Sequence, residues 1–294
     1  STVDLHDWGK VFTTVRSTSS TKMFPKIEMD VVLYANERRV DFNFKLRKDH
    51  TFDREAVYIA FPFAGASPAF RYEIGGGNVR PNEDHFPGAC RDWFSVQRWV
   101  TVNTQDAGVA WSPIDTPLIT LCQMTPGNWL DTLPITNGTV FAYVMNNYWF
   151  TNYKASQDGD FTFRYSLTSD KTMDPAAASL FGESVQAPMR AVRTLPQRAN
   201  GQAALPVRMS LLSVEPASVT VTTVKPADDG KGVIVRIRET AGKDTDAIIK
   251  LALPNGGKFS RCDLVERNQE ALQADGGAVS LKLKANSMAA IRVE

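Results

Sequence analysis

Three features of the sequence predict a mainly β protein, with a large antiparallel domain followed by a small β-sandwich. Most segments alternate apolar and polar residues at period two, or form short β-branched and aromatic runs. Asn-Gly and Gly-Gly pairs punctuate those segments. Helical patterning is confined to a single stretch.

The strand candidates follow in chain order. "KIEMDVVLYA" (26–35), "RVDFNFKLRK" (39–48) and "AVYIAFPF" (56–63) come first, then "FSVQRWVTVN" (94–103) and "GVAWS" (108–112). "TVFAYVMNN" (139–147) and "DFTFRYSLTS" (160–169) complete the first half. In the second half "ASVTVTTVKP" (217–226), "GVIVRIRET" (232–240), "DAIIKLALP" (246–254) and "AVSLKLKA" (278–285) have the same character. "DPAAASLFGESVQAP" (174–188) reads as a helix, because Asp174 suits the N-cap and Pro175 the first helical position. Asn137-Gly138 reads as a tight hairpin, and "PNGGK" and "ADGGA" repeat the device. The Asn137-Gly138-Thr139 sequon is secondary to that reading. "IGGGNVRP" (74–81) lacks the Lys-Ser/Thr and the following helix of a phosphate loop, so it reads as a flexible loop.

"RAVRTLPQRANGQAALPVR" (190–208) is rich in Pro, Ala, Gln and Arg and has little periodicity, as a linker would. The expected domains are residues 1–190, a linker over 191–204, and a small β-sandwich over 205–294. The opening "VDLHDWGKVFTTVRS" runs almost directly into strand-like sequence, so the first strand's partners are expected upstream in a longer protein.

Composition excludes several functions. With 33 Lys and Arg against 32 Asp and Glu, the 294-residue chain has a formal charge of +1 and no field to draw nucleic acid or an anionic membrane. No run approaches the roughly 20 apolar residues of a membrane helix. Cys90, Cys122 and Cys262 are too few and too scattered for a disulfide framework or a metal knuckle, and read as buried thiols. His6, His50 and His85 form no metal motif, and no GxSxG elbow occurs. His85, beside Asp84 and Glu83, reads as a surface or packing residue with acid–base chemistry as the alternative.

Two aromatic–polar clusters stand out. Asp92, Trp93, Phe94, Gln97, Arg98 and Trp99 gather in one, and Asn146, Asn147, Tyr148, Trp149, Asn152 and Tyr153 in the other. Aromatic rings against sugar C–H faces, with amide, carboxylate and guanidinium groups at the hydroxyls, are the inventory of carbohydrate recognition. The same residues would equally serve as strand-end core with polar groups bonded to loops.

An ordered series of motifs resembles the C-terminal region of glycoside hydrolase family 38, the α-mannosidases, with bacterial members nearest. The motifs are "ERRVDFNFKLRKDHTFDREAVYIAFPF" (37–63), "RDWFSVQRWVTVNTQDAGVAWSPIDTPLI" (91–119), "NNYWFTNYKASQDGDFTFRYSL" (146–167) and the ending "RCDLVERN" with "GGAVSLKLKANSMAAIRV". The resemblance implies a galactose-mutarotase-like β super-sandwich followed by a smaller β domain. It also implies a retaining mechanism with two carboxyl groups and a zinc ion, all in an N-terminal catalytic domain whose motifs do not occur here. This chain is therefore expected to hold no catalytic residue, metal site or cofactor, and to have that catalytic domain and a mannose-containing carbohydrate as partners. In this reading Asp92 and Asn147 hydrogen-bond hydroxyls, Arg98 orients a carboxylate across the domain interface, and Trp93, Tyr148 and Trp149 pack on a sugar face. The alternatives are a free-standing carbohydrate-binding module, a purely structural scaffold, and an independent enzyme for which Asp84 and Asp92 would be the carboxylate pair.

Overall fold

The alternating segments form strands in a computed structural model that describes residues 1–124, 127–147, 154–193, 207–252, 257–267 and 269–294. The chain divides into two compact units, Ser1–Ala187 and Pro188–Glu294. Most of the segment expected as a linker lies outside the described residues. The fold is mainly antiparallel β, a large super-sandwich followed by a small β-sandwich.

The strands of the first unit are β1 (Thr2–Trp8), β2 (Phe12–Ser19), β3 (Lys26–Tyr34), β4 (Val40–Lys48), β5 (Ala56–Phe63), β6 (Ala69–Ile74) and β7 (Gly77–Val79). They continue as β8 (Phe94–Ser95), β9 (Val100–Asn103), β10 (Gly108–Pro113), β11 (Leu118–Leu121), β12 (Gly138–Asn146) and β13 (Gly159–Asp170), and end with helix α1 (Pro175–Gln186). A nine-stranded sheet has the order β1-β2-β3-β4-β13-β10-β9-β6-β7, and a four-stranded sheet the order β5-β12-β11-β8. Partners in an antiparallel register share a face, so the pairing carries one apolar face across the nine-stranded sheet. It runs from Phe42 and Phe44 of β4 through Phe163 and Tyr165 of β13 to Trp111, Val100 and Tyr72. Against this face the smaller sheet sets Phe61, Ile119, Leu121, Val140 and Ala142 to close the core. Phe61 lies edge-on to Phe42 at 5.6 Å, and Trp111 stacks on Tyr165 at 5.3 Å.

The expected helix is present: the Asp174 side chain caps it by accepting from the Ala177 N–H at 2.8 Å. The expected strand over 94–103 instead breaks between Ser95 and Val100, because the chain there leaves one sheet for the other. Across the break the Val96 N–H donates to the Pro117 carbonyl at 2.8 Å and the Gln97 N–H to the Glu73 carbonyl at 3.0 Å. The Asn137-Gly138 hairpin is also overturned. Gly138 opens β12 and faces β5, where an added Cβ would stand 2.3 Å from the Phe63 carbonyl oxygen; the glycine serves close strand approach. "IGGGNVRP" is an ordered reversal between β6 and β7, in which Ile74 pairs with Gly77 and Gly76 has φ 88°. Cys122 and Cys262 are buried as expected, whereas Cys90 is exposed.

The second unit holds β14 (Leu212–Glu215), β15 (Val219–Pro226), β16 (Val233–Glu239), β17 (Thr245–Leu251) and β18 (Phe259–Cys262). β19 (Glu270–Leu272), β20 (Ala274–Asp275), β21 (Ala278–Leu283) and β22 (Met288–Val293) follow. They form two sheets, β14-β17-β21-β20 and β15-β16-β22-β18-β19. Val235, Ile237, Ile249, Phe259, Val279, Leu281 and Ile291 fill the core. The "ADGGA" hairpin is as the sequence predicts: Gly276 and Gly277 take φ 55° and 81° between β20 and β21.

Candidate functional site

The segment from Asp92 to Trp99 serves three structural tasks. Asp92, 1% exposed, accepts the Trp129 N–H at 2.8 Å through Oδ2 and so ties down the loop that follows β11. Trp93, 37% exposed, lies under the same loop, where an added Cβ on Gly127 would stand 3.7 Å from its ring. Arg98 and Trp99 seat α1 on the large sheet. The Trp99 indole donates to Ser179 Oγ at 3.1 Å, and a Cβ on Gly182 would come within 3.1 Å of Arg98 and 3.2 Å of Trp99.

Arg98 is therefore not free to orient a carboxylate across a domain interface. Its Nε and Nη2 donate to Glu73 at 2.9 and 2.6 Å, and Nη1 donates to Glu183 at 2.9 Å. Burial, the largest single influence, disfavours its charge, but the hydrogen bonds and charges of Glu73 and Glu183 together more than offset this and hold its pKa above the ordinary arginine value. Both partners belong to the first unit, so the triad is an internal brace.

Asn147 is likewise committed within the unit. Its backbone N–H donates to the Glu55 carbonyl at 2.9 Å, its amide donates to the Thr51 carbonyl at 3.2 Å, and its Oδ1 accepts the Gln157 N–H at 3.3 Å. The residue is 4% exposed, which leaves it no face for a sugar hydroxyl. Register also separates the two aromatic–polar stretches. Phe94 aligns with Ile119 and, through it, with Ala142, so Trp93 lies toward the Gly138 end of the small sheet. Asn147 lies beyond the opposite end, five residues past Ala142, or about 17 Å along the strand. Tyr148 and Trp149 are outside the described residues.

Trp129 belongs to neither aromatic–polar cluster of the sequence, yet it lies at the same loop as Trp93. It is 79% exposed, with φ 54°, a left-handed conformation uncommon for a bulky side chain. Its backbone is held there by the buried Asp92 carboxylate. Trp93 and Trp129 thus meet one loop, and each presents ring surface to solvent. The signal available in the sequence was the "PGNWL" turn, whose link to Asp92 spans 37 residues.

The alternative acid–base groups are occupied. Arg80 donates to Asp84 at 2.8 Å through its backbone N–H and at 2.8 Å through Nη2, which holds that carboxyl below the usual carboxylate range. His85 Nε2 lies 2.8 Å from the Tyr72 hydroxyl, and its ring stacks on Phe94. Burial lowers the His85 pKa and raises that of Tyr72 to about 12. Among the described residues no group of three or more His, Cys, Asp or Glu is arranged to hold a metal ion, and no helix is long and apolar enough to cross a membrane.

Residues 218–288 match the Glycosyl hydrolases family 38 C-terminal beta sandwich domain. An alpha-mannosidase from Enterococcus faecalis V583 matches the whole chain in structure, with a TM-score of 0.72 and 15% identity, and this chain covers 35% of that one. A protein in the Glycosyl Hydrolase Family 38 from Enterococcus faecalis also matches all of it, with a TM-score of 0.72 and 14% identity over 36% of its own length. The chain thus spans about a third of the solved structures that it resembles; at these identities the likeness shows the fold. No curated protein matches it.

Proposed function

Taking as premise that residues 218–288 resemble a family 38 C-terminal β-sandwich domain, we propose that the chain is the non-catalytic β region of an α-mannosidase-type retaining glycoside hydrolase. It braces a catalytic domain carried elsewhere on a longer polypeptide and helps to wall the sugar site. The observation that carries this reading is the family match together with a fold likeness over the whole chain. The catalytic carboxyl groups and the zinc ion belong to the other part of that polypeptide. Within this chain the sugar-facing role rests on Trp93 and Trp129, whose exposed rings suit the C–H face of a mannoside. The roles of Tyr148 and Trp149 rest on the sequence alone.

The decisive experiment compares the 294-residue chain with the longer polypeptide on an activated aryl mannoside, with metal analysis of both. Turnover and one equivalent of zinc in the longer polypeptide alone support the reading. Turnover by the chain itself overturns it. A second reading, a free-standing carbohydrate-binding module, is favoured by the exposure of Trp129. It predicts that the chain alone binds mannosides without any catalytic partner.

A further inference from the structure

The nine-stranded sheet is wider than the four-stranded sheet packed on it, and the excess has a chemical character. Register carries the core face outward from β4: Phe42 pairs with Val31 and Phe44 with Met29, Val31 with Val15, and Val15 with Leu5. On β3 the same face also holds Leu33, and on β1 it holds Val3. A register shift between Leu5 and Asp7 brings Trp8 opposite Thr13, so the bulge turns the tryptophan onto the face that already holds Val3 and Leu5. Trp8 is 83% exposed, Val3 68%, Leu5 58% and Leu33 45%, while Val15, Met29 and Val31 are half-buried.

The opposite face of these strands is complete by itself. Arg16 donates to Asp30 at 2.6 and 2.7 Å, Lys26 pairs with Glu28 at 2.7 Å, and the Tyr34 hydroxyl donates to Asp41 at 2.7 Å. One face is therefore a lattice of mutually paired charges, with Asp30 itself buried, and the other is a continuation of the core that this unit does not cover.

We propose that the apolar face of β1–β3 is a docking surface for an apolar face on the remainder of a longer polypeptide; this rests on the proposed function. Size decides between that occupant and a second copy of the chain. Three strands spaced about 4.8 Å apart and some seven residues long cover a flat footprint of roughly 300 Å², and the relief of their exposed side chains raises the accessible apolar surface to roughly 500–600 Å². A stable dimer needs about 800 Å² from each partner. A patch of this area is too small to hold two free molecules together, but it suffices for surfaces already tethered on one chain, where the effective concentration reaches roughly the millimolar range. The fold likeness supplies the remainder: the chain covers 35% of the alpha-mannosidase chain that it matches.

Hydrogen exchange of β1–β3, measured in the 294-residue chain and in the longer polypeptide, tests the assignment. Amides of β1 should exchange at least about tenfold more slowly in the longer polypeptide. Leu5→Asp and Trp8→Ser should each abolish that difference while leaving the melting temperature of the 294-residue chain unchanged. Equal exchange in both polypeptides overturns the inference, as does a concentration-dependent dimer of the 294-residue chain that Leu5→Asp dissociates. Docking at β1–β3 in a longer polypeptide without glycosidase activity would sink the proposed function and leave the surface standing. Activity with β1 still exposed would do the reverse.

Discussion

The Arg98 guanidinium meets the fully buried Glu73 carboxylate through two donors, at 2.9 and 2.6 Å, and reaches Glu183 of α1 with a third. Removing one member strands the others in a low-dielectric setting. Arg98→Ala or Glu73→Ala should therefore destabilise the first unit by about 3–5 kcal/mol. Replacing Arg98 and Glu73 together by Met and Leu should cost less, because the fully buried carboxylate is gone and only Glu183, which is partly exposed, loses its partner. Denaturant unfolding of the single and double variants checks both outcomes; a near-neutral Arg98→Ala would show that the triad is not a brace.

Trp129 and Asp92 are coupled but do different work. Trp129→Ala should leave stability within about 0.5 kcal/mol, since the ring is exposed, yet weaken mannoside binding and reduce the mannoside-induced change in tryptophan fluorescence, leaving only the part that Trp93 contributes. Asp92→Ala should cost about 1–3 kcal/mol, because it leaves the Trp129 N–H and its loop without their anchor. A Trp129→Ala chain that binds mannosides as well as the parent removes the platform reading.

The pH dependence has two windows. Burial lowers the folded pKa of His85 below 6.5, so the unfolded chain binds its proton first. The stability that His85 contributes is complete above about 6.5 and is lost as the pH falls toward its folded value. Asp84 and Asp115, lowered by Arg80 and Arg164, contribute stability that is present above their ordinary value of 3.8 and is lost below it. Melting temperatures from pH 8 to 3 should show both declines, and His85→Phe should flatten only the upper one.

Glu239 makes the corresponding test for the second unit. Its buried carboxylate accepts the backbone N–H groups of Ala241, Gly242 and Asn286 at 2.7, 2.8 and 2.9 Å, joining the turn after β16 to the one before β22. Glu239→Ala should cost about 3 kcal/mol or more, because several buried donors are orphaned at once. Glu239→Gln, which keeps one acceptor oxygen, should cost less. Calorimetry on residues 1–294 checks the order.

The fold class, the Asp174-capped helix and the Gly276-Gly277 hairpin are legible in the amino-acid order, because period-two alternation, capping and positive φ are local properties of the chain. That order also carries the family resemblance, through motifs that are linear. What the side chains of the two aromatic–polar clusters do depends on contacts between distant parts of the chain. Arg98 and Asn147 looked like ligands for a sugar or a partner domain, but Glu73, Glu183, Thr51 and Gln157 claim their donors and acceptors, at separations of 10 to 96 residues. Trp129 reads as one more loop residue until a carboxylate 37 positions away sets its backbone. The apolar face at Val3, Leu5 and Trp8 is invisible to periodicity as well, since the β1 bulge shifts the tryptophan out of simple alternation and only pairing with β2 reveals which side it takes. Local pattern says which strands form; which face is covered, and by what, follows only when strands distant in the chain are laid side by side.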